Sequence, residues 1–303
     1  MNEELEVRTQ ALKLSINYHG RNSNIDDIFK TANVFSEYII SAKQNKPARK
    51  STYMDFTRED ILELSECMNS PVAFAAKCKI IQINGPVQFN LYPYQSDYLN
   101  FIHTNQRSLT VSARQMGTTT VTAAYVLWSA LFKPDQTILL AAHQLVQAVE
   151  ILDRIRYMFE KLPDLYKVGV VQYNKGLVEF ENGSRIIARA ASSDMGRGLS
   201  FNMLVLDQPA YISHKRGWEM MEALMPVMAA SNAKIIMHST AGVTDGFFYK
   251  YWVDSLTSKS SYANMTLPWN LHPNRDAAWR DEMIKTLGQE QFDQEFECKF
   301  KSV

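Results

Sequence analysis

An α/β fold is what this sequence predicts: a mainly parallel sheet flanked by helices, with a local β-hairpin and helical lid segments. Three observations carry the prediction. First, the runs SLTVSA (108–113), QTILLAA (136–142), MLVLD (203–207) and KIIMHST (234–240) are nearly continuously apolar, as strands covered on both faces must be. Second, helical patterns over 119–132, 143–162 and 217–230 lie between most of these runs, which requires crossover connections between parallel strands. Third, KGLVEFENGSRIIARA (175–190) places Asn182-Gly183 between two alternating runs, a strong hairpin signal.

Taken in order, the first 50 or so residues are polar and weakly periodic, broken by NYHGRNSN and closed by the basic linker KQNKPARKS. They read as an N-terminal helical arm over 1–50. At FTREDILELSECM, Thr57 stands three residues before Asp60 and ahead of Ile61, Leu62 and Leu64, the spacing of a capped helix start. Residues 51–107 then form a helical entry and 108–241 the core. After 241 the chain becomes helical and aromatic, ending in LGQEQFDQEFECKF with no further strand run, so 242–303 is expected to be a C-terminal helical lid. There is no internal repeat and no low-complexity segment.

Composition bounds what such a fold can do. With 303 residues, 46% hydrophobic and 21% charged, the chain can bury one large core or two modest ones. Lys+Arg and Asp+Glu balance at 32 each, so a polyanion must be met by a local patch rather than by overall charge. Cys67, Cys78 and Cys298 are odd in number and lack metal-ligand spacing, which fits a reducing cytoplasm better than a disulfide framework or structural zinc. No signal peptide opens the chain and no apolar run approaches the roughly 20 residues of a membrane span, so a soluble, intracellular protein is expected.

The chemistry concentrates in VSARQMGTTT (111–120). An apolar, β-branched lead-in runs into a turn with Gly117, then hydroxyl residues, then a long apolar-periodic segment, the order of a phosphate-binding loop. Such a loop needs Gly for close backbone approach, amides at a helix N-terminus, a Lys for the β/γ-phosphates and a hydroxyl for Mg²⁺. Gly117 supplies the approach and Thr119 the hydroxyl, but the lysine position holds Thr118. The run MLVLDQPA ends in Asp207, the carboxylate placed beside the metal, followed by Gln208 where an ATPase needs its water-activating Glu. Each half alone is weak; in order, on strands of the right character, they make a phosphate-loop NTPase with ATP and Mg the favoured reading.

With these residues in place, the sequence resembles the ATPase domain of the large terminase subunit of tailed bacteriophages, from PVAFAAKCKIIQINGPVQFNLYPYQ to EFECKF, over two thirds of the chain. LYPYQ resembles the family's adenine-recognition motif, which implies Tyr94 and Gln95 near the base. SARQMGTTT resembles its variant phosphate loop, implying that Arg114, Gln115, Met116, Gly117, Thr118, Thr119 and Thr120 cradle the phosphates. LLAAHQ, NKGLVEFENGSRI, MGRGLSFNMLVLD and MHSTAGV resemble the next four blocks, the last a coupling motif with Ser239 and Thr240. The resemblance implies an ATP-driven DNA-packaging motor whose partners are double-stranded DNA, the portal protein, the small terminase subunit and copies of itself in a ring on the portal. It places the chain in the host cell cytoplasm, transiently on the procapsid. Arg197, in MGRGLSF, is implied to serve a neighbouring subunit's ATP; Arg114, acting in cis, is the competing candidate. The family's nuclease domain has no counterpart before Val303, so DNA cleavage is expected to be absent.

Two departures from that pattern, Thr118 for Lys and Gln208 for Glu, predict weak ATP binding and poor hydrolysis. The first removes charge that stabilises the phosphoryl group in flight and the second replaces a base with a neutral amide, a loss that commonly costs ~10²- to 10⁴-fold. They fit an engineered trapped state, a natural variant whose Lys is supplied from elsewhere, or a pseudo-ATPase. Rival functions are a non-hydrolysing nucleotide-binding ring subunit and a nucleic-acid translocase outside packaging, the latter disfavoured because no second motor domain is visible. The scattered histidines, of which His143 and His238 fall in motif blocks, suit core or supporting roles. Basic residues at 154, 156, 161, 167, 175 and 215–216 read as solvated faces before DNA contacts.

Overall fold

The structure is a computed structural model that describes residues 57–257 and 259–302. The expected N-terminal arm lies outside the described residues. The chain enters with α1 (Arg58–Asn69), opened by a reciprocal capping box: the Thr57 hydroxyl accepts from the Asp60 amide at 3.1 Å and the Asp60 carboxylate accepts from the Thr57 amide at 2.8 Å. The short α2 (Pro71–Ala75) follows. An antiparallel hairpin of β1 (Lys79–Gln82) and β2 (Gly85–Gln88), which the sequence reading did not foresee, leads into α3 (Pro93–Thr104).

The centre is an eight-stranded sheet. In chain order its strands are β3 (Arg107–Ser112), β4 (Thr137–Ala142), β5 (Val170–Asn174), β6 (Leu177–Phe180), β7 (Arg185–Ala190), β8 (Met203–Asp207), β9 (Lys234–Ser239) and β10 (Ala263–Leu267); across the sheet they run β10-β3-β9-β8-β4-β7-β6-β5. The first six in that spatial order are mutually parallel, and β6 and β5 are antiparallel additions at one edge. The crossover helices are α4 (Thr118–Phe132), α5 (Leu145–Lys161) and α6 (His214–Ser231), close to the segments the periodicity marks. Beyond β9 come α7 (Phe247–Leu256), β10, α8 (Ala277–Leu287) and α9 (Gln289–Glu295).

Alternation along the buried strands splits the interior in two. Ile138, Leu140 and Val205 join the layer that holds α4 and α5, whereas Leu139, Leu204 and Leu206 join the layer that holds α6 and α7. This is why the strand runs read as unbroken apolar stretches.

One sequence expectation needs correction. The 242–303 segment is not purely a helical lid, because β10 pairs in parallel with β3 from Ala263↔Ser108 to Leu267↔Ser112. As an edge strand it keeps Asn264 and Thr266 exposed and has no apolar run to announce it. The 175–190 hairpin forms as expected, with Phe180 and Ser184 closing a three-residue loop in which Gly183 alone takes a left-handed φ of +79°. Asn182 instead donates its buried side-chain amide to the carbonyls of Ala130 (2.8 Å) and Leu131 (3.2 Å) at the end of α4.

Candidate functional site

The carboxyl ends of β3, β9 and β8 lie side by side, with Val111 level with Ser239 and Asp207 level with His238. Open α/β sheets bind ligands at such ends. From β3 the chain turns through residues 113–117 into α4. The turn is held from both sides. Ala113 N–H donates to Leu267 O and Arg114 N–H to Glu295 O, both at 2.8 Å, while Met116 O accepts from Tyr94 Oη and Gln95 Nε2, both at 3.0 Å. Gln115 adopts φ +62° and Gly117 +79°; a Cβ on Gly117 would meet Gln95 Nε2 at 2.6 Å, so both conformation and space require glycine there. The first intrahelical bond runs from Val121 N–H to Gly117 O, which leaves the amides of Thr118, Thr119 and Thr120 without intrahelical partners at the positive end of the helix dipole.

Thr119 and Asp207, 88 positions apart, meet: the Thr119 hydroxyl donates to Asp207 Oδ1 at 2.9 Å. Behind them His238 is buried, its Nε2 3.3 Å from Asp207 Oδ1, yet neither ring nitrogen makes a hydrogen bond. The short separation is a packing contact of a neutral ring: burial lowers the His238 pKa and the Asp207 charge opposes this only in part. Tyr98, edge-on to that ring, bonds Thr122 Oγ1 at 2.8 Å. Among the described residues no group of three or more His, Cys, Asp or Glu could form a metal cage. One hydroxyl and one carboxylate, both hard oxygen donors, do fit a Mg²⁺ whose other ligands are phosphates and water.

Gln208 follows in a left-handed conformation (φ 52°, ψ 48°). Its Oε1 accepts from the Ser239 hydroxyl and the Thr240 amide, each at 3.2 Å, joining β8 to β9. The Thr240 hydroxyl reaches Tyr211 Oη at 3.1 Å, and Arg114 Nη2 donates to the same phenol at 3.2 Å. The Arg114 guanidinium is also clamped by Glu295, with Nε at 2.7 Å and Nη2 at 3.1 Å from its two oxygens. Arg275 donates to Arg114 O at 2.9 Å while its guanidinium lies over the rings of Trp279 (4.7 Å) and Phe296 (5.6 Å).

Together these residues line a cleft of about 440 Å³ whose walls include residues 112–120, Gln147, Arg154, Gln208, Tyr211 and Thr240. Of the sequence candidates, Arg114, Gln115, Met116, Gly117, Thr118, Thr119, Thr120, Gln208 and Thr240 lie on its wall. Tyr94 and Gln95 are buried behind the loop and brace it, and Ser239 supports Gln208 from beneath. Arg197 lies off this wall, exposed and paired with Asp194 at 3.0 Å. Tyr211, Gln147, Arg154, Glu295 and Arg275 escaped sequence reasoning as site residues. Gln147 and Arg154 are two helical turns apart on one face of α5, a spacing that points to the cleft only once α5 is docked; nothing local to Glu295 or Arg275 marks them.

The comparisons with known proteins agree on one kind of relative. Residues 109–303 match the family model described as terminase large subunit, T4likevirus-type, N-terminal. The large terminase ATPase domain of Thermus phage P74-26 superposes with a TM-score of 0.56 at 19% identity, covering 67% of this chain and 93% of that one. The large terminase of bacteriophage HK97 gives 0.60 at 18%, covering 77% and 55%. The large terminase of the thermophilic bacteriophage D6E, solved in complex with ADP, gives 0.56 at 11%, covering 70% and 54%; its complex with ATP-gamma-S gives 0.53. The chain thus spans about half the length of the HK97 and D6E proteins.

Proposed function

Because this chain belongs to the terminase large-subunit family through its match over residues 109–303, we propose that it is the motor ATPase unit of a viral DNA-packaging machine, binding ATP with Mg²⁺ in the cleft at the ends of β3, β8 and β9. The observation that carries this reading is the Thr119–Asp207 pair, set beside a glycine-bearing loop at a helix N-terminus. Thr119 and Asp207 would hold Mg²⁺, which when bound neutralises charge on the phosphates; the amides of residues 118–120 would take the phosphate oxygens. That the D6E relative is solved with ADP and with ATP-gamma-S supports a nucleotide as the ligand. Double-stranded DNA, the portal protein, the small terminase subunit and a ring of its own copies are the partners this function requires, in the host cytoplasm and on the procapsid.

The same cleft argues for impaired catalysis. Thr118 brings no charge, Gln208 cannot accept a proton from water, and Arg114 is engaged by Glu295. Arg197, exposed on a loop, is free to approach a neighbouring copy's site once its weak surface pair with Asp194 opens. ATP binding and turnover measured side by side on the purified chain test the reading. Weak binding with little or no turnover is expected; hydrolysis at an ordinary motor rate would refute the impairment, and absence of any nucleotide binding would refute the function. Binding without turnover also suits the second reading, a non-hydrolysing ring subunit, which the neutral Thr118 and Gln208 favour.

A further inference from the structure

The cleft contains a cation that the loop pattern does not account for. Among the described residues on its wall none is Asp or Glu, and two are arginines. Arg114 is held bidentate by Glu295, whereas Arg154, exposed on α5, makes no ion pair or hydrogen bond among the described residues. It is not simply a member of the charge ladder along its helix. Glu150 and Asp153 share an adjoining depression with it, but neither approaches it as an ion pair, and Asp153 instead bonds Arg156 at 2.5 Å. An unpaired guanidinium on the wall of a cleft whose Thr119 bonds the Asp207 carboxylate, near a loop whose own arginine is held by Glu295, selects for an anion.

We propose that Arg154 is the residue that meets the phosphate chain in this cleft, supplying from α5 the positive charge that Thr118 cannot. The inference rests on the reading of the cleft as a nucleotide site and deepens it. Arg154 reaches the cleft wall from α5, and Gln147, two turns earlier on the same face, lines the same wall as a neutral donor. A guanidinium placed there would favour ligands in proportion to their phosphate charge and contribute nothing to an uncharged nucleoside.

Equilibrium dialysis of ATP, ADP and adenosine against the whole chain with Mg²⁺ tests this. Arg154→Gln is expected to weaken ATP roughly ten- to hundredfold, the loss of a hydrogen-bonded charge contact, with a smaller effect on ADP and none on adenosine. Arg154→Lys should retain part of the ATP affinity, and Thr118→Lys placed in the Arg154→Gln background should restore it. Lys161→Gln, the same charge change on the same helix away from the cleft, should leave all three ligands unaffected. Unchanged ATP affinity in Arg154→Gln, or an equal loss for ATP and adenosine, would overturn the inference while leaving the nucleotide reading intact. A wild-type chain that binds neither ATP nor inorganic pyrophosphate would overturn both.

Discussion

Gln208, expected from the sequence at the position of a base, forms a tie, its carbonyl oxygen bridging the Ser239 hydroxyl and the Thr240 amide. A glutamate there would keep one oxygen for those donors and free the other for water. Thr118 opens α4 at the wall of the same cleft. Thr118→Lys with Gln208→Glu should therefore raise ATP turnover well beyond either change alone, since charge stabilisation and water activation act on one transition state. Asp207→Ala in that background should abolish the gain, and a folded, ATP-bound double variant that remains silent would show the roles to be misassigned. His238 offers a second test. Burial first, opposed by the Asp207 charge, holds its pKa below the ordinary 6.5. The unfolded chain thus takes up a proton that the native one refuses, so stability is intact above about pH 6.5 and falls as pH drops below it, by at most ~1.4 kcal/mol per pH unit for one group. Thermal melts of the wild type between pH 7 and 5 should show this decline, and His238→Asn should flatten it. The convergence of Thr119 and Asp207 was legible because strand, turn and helix residues follow one another in the chain. Glu295 and Tyr211 were not, because their part in the site exists only in the packed molecule.

Strands that are covered on both faces announce themselves, and β3, β4, β8 and β9 fall within a residue or so of their apolar runs. The edges do not: β10, β5 and the β1–β2 pair each leave residues in solvent and carry mixed sequences. Edge positions need only a backbone to pair with, which composition cannot reveal. A further link invisible in sequence joins α3 to the sheet. The Lys234 ammonium at the start of β9 donates to Ile102 O (2.8 Å), His103 O (3.1 Å) and Asn105 O (2.5 Å), covering the carbonyls that end α3. Lys234→Met preserves the stem but leaves these oxygens without their donor. A loss of about 1–3 kcal/mol is expected, read as a lower urea midpoint with unchanged slope; an unaltered midpoint would make the contact energetically idle.

At the scale of the molecule, the loop over residues 113–117 is clasped by segments far apart in the described chain. Tyr94 and Gln95 hold it from the entry side, Leu267 and Glu295 from the far side, and the second clasp closes over 181 positions of sequence. The sheet has the same habit, since β3 lies between β9 and β10, both made after every other strand of the sheet. Synthesis therefore sets a timetable. At about 5–20 residues per second a ribosome takes ~9–36 s to go from the loop to its clamp, and until β9 and then β10 are made β3 has neither neighbour. The nascent chain passes through a stage in which one apolar strand awaits two partners not yet made, and the cleft at the ends of β3, β8 and β9 is among the last features to be finished.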